Sequence, residues 1–308
     1  MSETKASYVG VSGIVSPEIQ GAVERMHLKS GLAAKGRELV LGVKAVHKTQ
    51  YLDIGNKYGP DWYPIGASAF NGAIRHDYPS PIAKPVAQAY LDVEYVGDAA
   101  YRTEFLHRIH ERGQPWLKGI QFDMLPWHAD DEALAFLEEV KESTELEVFL
   151  QAHSAAMTEL GPSGVIGRLG RYTSITDYIL FDASHGTGKR LDTTALEPFV
   201  AEAYAQLDPV KTGVVIAGGL NEEVVRDALP ALIERYPDLS WDAEGQLHPV
   251  TESGARPLDL AVTEAYLRAS SEILPDGPHD PTDTQRAIID SELYWFGGLQ
   301  QRRPFPFD

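Results

Sequence analysis

The chain contains no cysteine. Disulfides, thiolate metal sites and any thiol nucleophile or thiol base are therefore excluded. Basic residues are scarce as well: 27 Lys and Arg stand against 45 Asp and Glu, a formal net charge of −18. Such a surface repels nucleic-acid phosphates and anionic headgroups, so neither nucleic acid nor membrane is expected as a partner. It also does little to draw in an anionic substrate, so any phosphate site must be assembled locally. No apolar run is long enough to span a bilayer. Met1-Ser2-Glu3-Thr4-Lys5 lacks the basic start and apolar stretch of a signal peptide, which makes a cytoplasmic protein the expectation.

What is present is 43% hydrophobic residues in a chain of 308, enough for a large core. Short β-branched runs alternate with longer amphipathic ones, the pattern of repeated βα units. Strands are predicted at 8–13, 39–46, 89–96, 118–124, 146–152, 178–182, 213–219 and 239–242. Ser16-Pro17-Glu18 is a helix start, with Ser as cap, Pro in the first turn and an acid beside it; this helix is expected to run to about 35. Further helices are expected at 99–112, from 130, at 164–172 (the weakest), at 194–206, from Asn221, and at 258–274. Eight such units in order give an α/β fold, a (β/α)8 TIM barrel over residues 1–274, with a doubly wound open sheet as the alternative. The stretch from His47 to Gly66, roughly 20 residues rich in Gly, Pro, Tyr and Asp, is long enough to serve as a lid or binding loop. The extension 275–308 carries Tyr294-Trp295-Phe296 and Pro304-Phe305-Pro306-Phe307. It is expected to pack on the barrel or on a neighbouring subunit, making a homo-oligomer one outcome.

In such a barrel the chemistry lies at the C-terminal ends of the strands. Those ends read Ser12, His47, Glu94, Asp123, His153, Asp182 and Asp242. The set suits acid–base catalysis or metal binding, although His47 and His153 also read as rim residues and Glu94 as a partner for Lys44. After Asp182 comes a small-residue loop, Ala183-Ser184-His185-Gly186-Thr187-Gly188-Lys189, whose backbone N–H groups and lysine could approach an anion. One unit later Gly218-Gly219-Leu220-Asn221 opens a helix, a second anion cradle. Each alone is also a plain turn.

Together these segments resemble the phosphoribosylanthranilate isomerases, barrel enzymes of tryptophan biosynthesis. That family opens with Cys-Gly-Ile, against Ser12-Gly13-Ile14-Val15 here. Its sixth strand ends in Asp followed by Gly-Ser/Thr-Gly-Lys-x-x-Asp, matched by Asp182 and by Gly186-Thr187-Gly188-Lys189-Arg190-Leu191-Asp192. Its seventh ends in Gly-Gly-Leu-Asn, matched at 218–221, while its eighth, Asp-x-Ser-Ser-Gly, faces Asp242-Ala243-Glu244-Gly245. The match covers the N-terminus and 176–245; between 45 and 175 the βα pattern stands alone.

The resemblance implies an isomerase acting on a phosphorylated sugar or aminosugar by an Amadori-type aldose–ketose rearrangement, with no cofactor and no metal. It implies Asp182 as the acid that opens the sugar ring. Ser12 occupies the position of the thiol base, and a hydroxyl is a far weaker base, so Asp123 or His47 is expected to take over. Substrate contacts are implied for His185, Gly186, Gly188 and Lys189, for Gly218 and Gly219, and for Asp242 and Gly245, with His153 added from the strand ends. Glu244 stands where the family has a small hydroxyl residue, and would repel a phosphate unless it turns away or pairs with Lys189. A lyase or metal-assisted hydrolase using the strand-end ring, and a non-catalytic ligand-binding barrel, are the competing readings.

Overall fold

The computed structural model describes residues 4–55, 59–75, 83–90, 98–123, 131–172, 174–182, 184 and 190–275. Its strands are β1 (Tyr8–Ser12), β2 (Glu38–Val46), β3 (Ala83–Tyr90), β4 (Gly119–Phe122), β5 (Glu147–His153), β6 (Tyr178–Asp182), β7 (Gly213–Ala217) and β8 (Ser240–Ala243). All pair in parallel with their chain neighbours, and β8 returns to β1, closing an eight-stranded barrel. Helices α1 (Pro17–Ser30), α2 (His47–Gln50), α3 (Gly66–Ile74), α4 (Ala99–Gly113), α5 (Asp131–Ser143), α6 (Ser154–Leu169), α7 (Thr193–Gln206), α8 (Glu222–Ala228), α9 (Pro230–Arg235) and α10 (Leu260–Glu272) occupy the connections and follow β8. This is the expected TIM barrel.

The helices start where side chains can satisfy their first N–H groups. Ser16 accepts from Ile19 N ahead of Pro17, and Asp98, His153, Asp192, Asn221 and Asp259 cap α4, α6, α7, α8 and α10 in the same way. His153 is also the last residue of β5, so the residue that stops this strand also starts α6.

Strand residues alternate between two environments. One set packs outward against the helices in the main core, including Val9, Val11, Leu39, Leu41, Val43, Ile120, Val148, Ile179 and Ile216. The other set faces the barrel axis and changes character along it. At the N-terminal end it is Tyr8, Val40, Val86, Phe149, Tyr178, Leu180 and Val215, a dry plug in which the Phe149 and Tyr178 rings stack at 4.5 Å. Further along, the axis-facing positions turn polar: Lys44, Gln88 and Gln121 share one register row across β2, β3 and β4.

Three expectations need correction. The third strand, described as Ala83–Tyr90, starts at 83 rather than 89: Lys84 and Pro85 disguise its start, and Pro85 still contributes its carbonyl, which accepts from Lys118 N at 2.9 Å. Residues 91–97, with Glu94, lie outside the described residues. The helix expected at 164–172 begins at Ser154 and bends at Gly161, whose φ of 63° precedes Pro162. The connection from His47 to Gly66 is not a plain loop, since 47–50 form α2. The extension from 276 onward, with its aromatic cluster, lies outside the described residues. Among the described residues no helix is long and apolar enough to cross a membrane.

Candidate active site

The C-terminal mouth of the barrel opens into a cavity of about 610 Å³ lined by residues from all eight strands and their following segments. Ser12, His47, Asp123, His153, Asp182, Gly218, Gly219, Asp242 and Gly245 all line it. The structure therefore brings together every expected site residue that it describes. His185, Gly186, Gly188 and Lys189 lie outside the described residues, as does the pairing of Glu244 with Lys189.

The deepest layer is a buried network centred on Asp242, which is 5% exposed. Ser12 Oγ donates to Asp242 Oδ1 at 3.1 Å, and Gln88 Nε2 donates to Ser12 Oγ at 2.7 Å. The Ser12 hydroxyl thus spends its one proton on the carboxyl group and accepts one from the amide. It links two groups and is no free base. Two glycines make room for this network. A Cβ on Gly10 would press on the Asp242 carboxyl, and one on Gly42 would fall on Ser12 Oγ and the Gln88 amide.

Lys44, 7% exposed, is the cation of this layer. It donates to Glu244 Oε2 at 2.9 Å and lies 3.8 Å from Asp123 Oδ2. Burial works against its charge, but Glu244 and Asp123 outweigh it and hold the ammonium well above the ordinary lysine range. One cation shared by several acids leaves the acids under-neutralised. Burial pushes the Asp242 carboxyl up to about 7, helped by repulsion from Glu244 and Asp123 and opposed by Ser12 and Lys44. Burial likewise raises Asp123 to about 6, with Lys44 and Gln121 pulling it down and Glu244 and Asp182 pushing it up. Both carboxyls titrate where a catalytic group is useful.

Asp182, at the end of β6, accepts from Ser184 N at 2.8 Å, from Ser184 Oγ at 2.7 Å and from Gln151 Nε2 at 3.2 Å. Gln121 Nε2 in turn donates to Gln151 Oε1 at 3.2 Å and to Asp123 Oδ1 at 2.7 Å, so amides join Asp182 to Asp123 across β4 and β5. Gly218 has φ of 101°, and a Cβ there would collide with Asp182 Oδ1 and Ser184. The β7 turn therefore approaches the Asp182 carboxylate as only glycine can.

The two histidines are more occupied than their positions at strand ends suggest. His47 Nδ1 lies 2.6 Å from the Tyr101 hydroxyl, and its ring stacks on Tyr51 at 5.0 Å. His153 Nδ1 accepts from Ala156 N at 3.3 Å, capping α6. Among the described residues no three His, Asp or Glu side chains converge closely enough to hold a metal ion.

The rim carries a strap that sequence reasoning missed. Trp62, in the β2–α3 connection, donates from Nε1 to Glu244 Oε1 at 3.1 Å and stacks on His248 at 4.8 Å. The Arg256 guanidinium lies 4.4 Å from the centroid of the same ring. Glu244 therefore ties the connection after β2 to Lys44. Lys44, Gln88, Gln121 and Gln151 were also passed over as site residues. The signal was available: a parallel strand covered on both faces reads as a continuous apolar run, and a long polar side chain inside one is an anomaly.

No family model and no curated protein matches the chain. Among solved structures, the tryptophan synthase alpha chain of Legionella pneumophila subsp. pneumophila aligns with a TM-score of 0.54 at 14% identity, over 88% of this chain and 93% of that one. The spore cortex-lytic enzyme SleL of Bacillus megaterium aligns with a TM-score of 0.50 at 10% identity, over 88% and 75%. At such identities the likeness speaks for the architecture: this chain is an eight-stranded parallel TIM barrel with tryptophan synthase alpha-like neighbours.

Proposed function

We propose that the protein is an enzyme that moves a proton between adjacent carbons of a small sugar, an aldose–ketose isomerase whose substrate is a phosphorylated sugar or aminosugar. The observation that carries this reading is the pair of buried carboxyls Asp123 and Asp242, raised to about 6 and about 7 within one cavity. Removing a proton beside a carbonyl or imine and returning it one carbon away needs groups that gain and lose protons near neutrality. The resemblance at 12–15, 182–192 and 218–221 supports the same chemistry.

Asp242 takes the role of the absent thiol, accepting the proton from C2, with Ser12 orienting its carboxyl group. Asp182 acts as the acid of ring opening, the role that the resemblance implies. Asp123 serves the return of the proton. Lys44 is held as an ammonium, which rules it out as an amine nucleophile and suits it to the negative charge that develops on the substrate oxygen. Gly218 and Gly219, beside Ser184, leave open backbone where a phosphate could be received.

The test is solvent exchange. Phosphoribosylanthranilate and a panel of aldose phosphates, incubated with the protein in D2O, are followed by proton NMR. Loss of the C2 proton with formation of the ketose is expected for one member, and Asp182→Asn should abolish ring opening but spare exchange on an acyclic substrate. Absence of exchange across the panel would sink the reading.

A further inference from the structure

Gln88 is 2% exposed, lines the cavity, and is not used by the reaction just described. The two ends of its amide are in different situations. Nε2 donates to Ser12 Oγ at 2.7 Å. Oε1 is buried and has no hydrogen-bond partner among the described residues. With Asp242 ionised, as a base must be, turning the amide over brings no relief: it would set a carbonyl oxygen against a hydroxyl whose only proton already points to Asp242. The Ser12–Asp242 network therefore fixes the amide, with its acceptor end unsatisfied. The next amides along the floor differ, since Gln121 and Gln151 are bonded to each other and to Asp123 and Asp182. A buried acceptor without a donor is costly, and native structures keep few of them without a reason.

We propose that Gln88 determines which sugars the site accepts, its Oε1 taking a hydrogen bond from the hydroxyl on the carbon that loses its proton. This rests on the sugar-isomerase reading and adds a specificity residue to it. In an aldose, C2 bears both the hydrogen removed and a hydroxyl. Gln88 is joined to the proposed base Asp242 through the single atom Ser12 Oγ, so a C2 whose hydrogen meets Asp242 brings its hydroxyl to the same corner of the floor. Only an acceptor can hold that hydroxyl by its proton, and holding it fixes the direction of the neighbouring C–H bond. A site built around such a bond rejects the analogue that lacks the hydroxyl, because the buried acceptor is then left unpaired.

The experiment is calorimetric titration of D-ribose 5-phosphate and 2-deoxy-D-ribose 5-phosphate into the wild type, Gln88→Met and Gln88→Glu. The wild type is expected to prefer the 2-hydroxy sugar by about tenfold or more. In Gln88→Met the two affinities should come within about twofold, whereas Gln88→Glu, which keeps an acceptor, should retain the preference. Equal affinities in the wild type overturn the assignment whether or not the methionine variant folds, and so does an unchanged preference in Gln88→Met. A preference that depends on Gln88 without C2 exchange leaves Gln88 as the acceptor that selects the 2-hydroxy sugar and removes the isomerase reading. Exchange with equal affinities does the reverse, and failure of both sugars to bind overturns both.

Discussion

The two ends of the barrel handle buried charge in opposite ways. At the N-terminal end Asp177 accepts from Lys5 at 2.8 Å and from Lys141 at 2.7 Å, while Lys84 is held by Glu38 at 2.7 Å and Glu147 at 3.0 Å. Burial works against the Asp177 charge there, but the lysines outweigh it and keep the carboxyl below its usual range. At the C-terminal end Lys44 faces Glu244 and Asp123 while Asp242, among the described residues, is hydrogen-bonded only to a hydroxyl, and both aspartates are driven up. Cations matched to acids make a closed rim that holds the sheet together. Acids in excess of cations make groups that exchange protons near neutrality, at a cost in stability.

The largest expected effect comes from neutralising one aspartate at each end. Asp242→Asn should lower kcat/KM by about 10²–10⁴-fold on the substrate found by exchange. Its stability should respond in the other direction. A carboxyl raised in the folded state stabilises the fold while protonated and loses that contribution as pH rises from about 4 through about 7. In urea titrations at pH 8 the variant should therefore be at least as stable as the wild type. Asp177→Asn should invert the pattern, costing about 1–3 kcal/mol while leaving kcat/KM within about twofold. If both variants lose activity and stability together, the division between the ends is wrong.

Next in size is Lys44→Met. It strands Glu244 and Asp123 without their cation and should destabilise by about 3 kcal/mol or more. Adding Glu244→Gln to it should recover part of the loss, so the double-mutant cycle in urea should show strong coupling. Additive effects would mean that the short Lys44–Glu244 contact carries no energy of its own.

The smallest effect concerns pH. With Asp242 as base, kcat/KM should rise as pH passes about 7. Glu244 is the strongest charge repelling that carboxylate, so Glu244→Gln should move the rise to lower pH by at most about one unit. A rise that stays in place would detach Asp242 from the rate.

Much of this was legible in the sequence, and what escaped has a physical explanation. The barrel followed from alternation and from caps such as Ser16 and Asn221, whose chemistry is local. Asp182 and Gly218-Gly219 were found because strand end and turn are adjacent in the chain. Lys44, Gln88 and Asp242 are widely separated in sequence, and their meeting depends on register across β8, β1, β2 and β3, which no local pattern reveals. The partners of Ser12 escaped for the same reason: Asp242 and Gln88 come from two other strands. The third strand slipped because Lys84 and Pro85 look unlike a strand until neighbours on both sides pair with it.

The glycines at 10 and 42 have a consequence for how such a site could change over generations. Each is a strand position whose missing side chain is filled by a functional group from another strand, Asp242 in one case and Ser12 with Gln88 in the other. A lineage cannot enlarge Gly42 while keeping Ser12 and Gln88, nor enlarge Gly10 while keeping Asp242 in place. The order of change is therefore constrained: either glycine becomes free to grow only after the side chain that fills its space has shifted or been replaced.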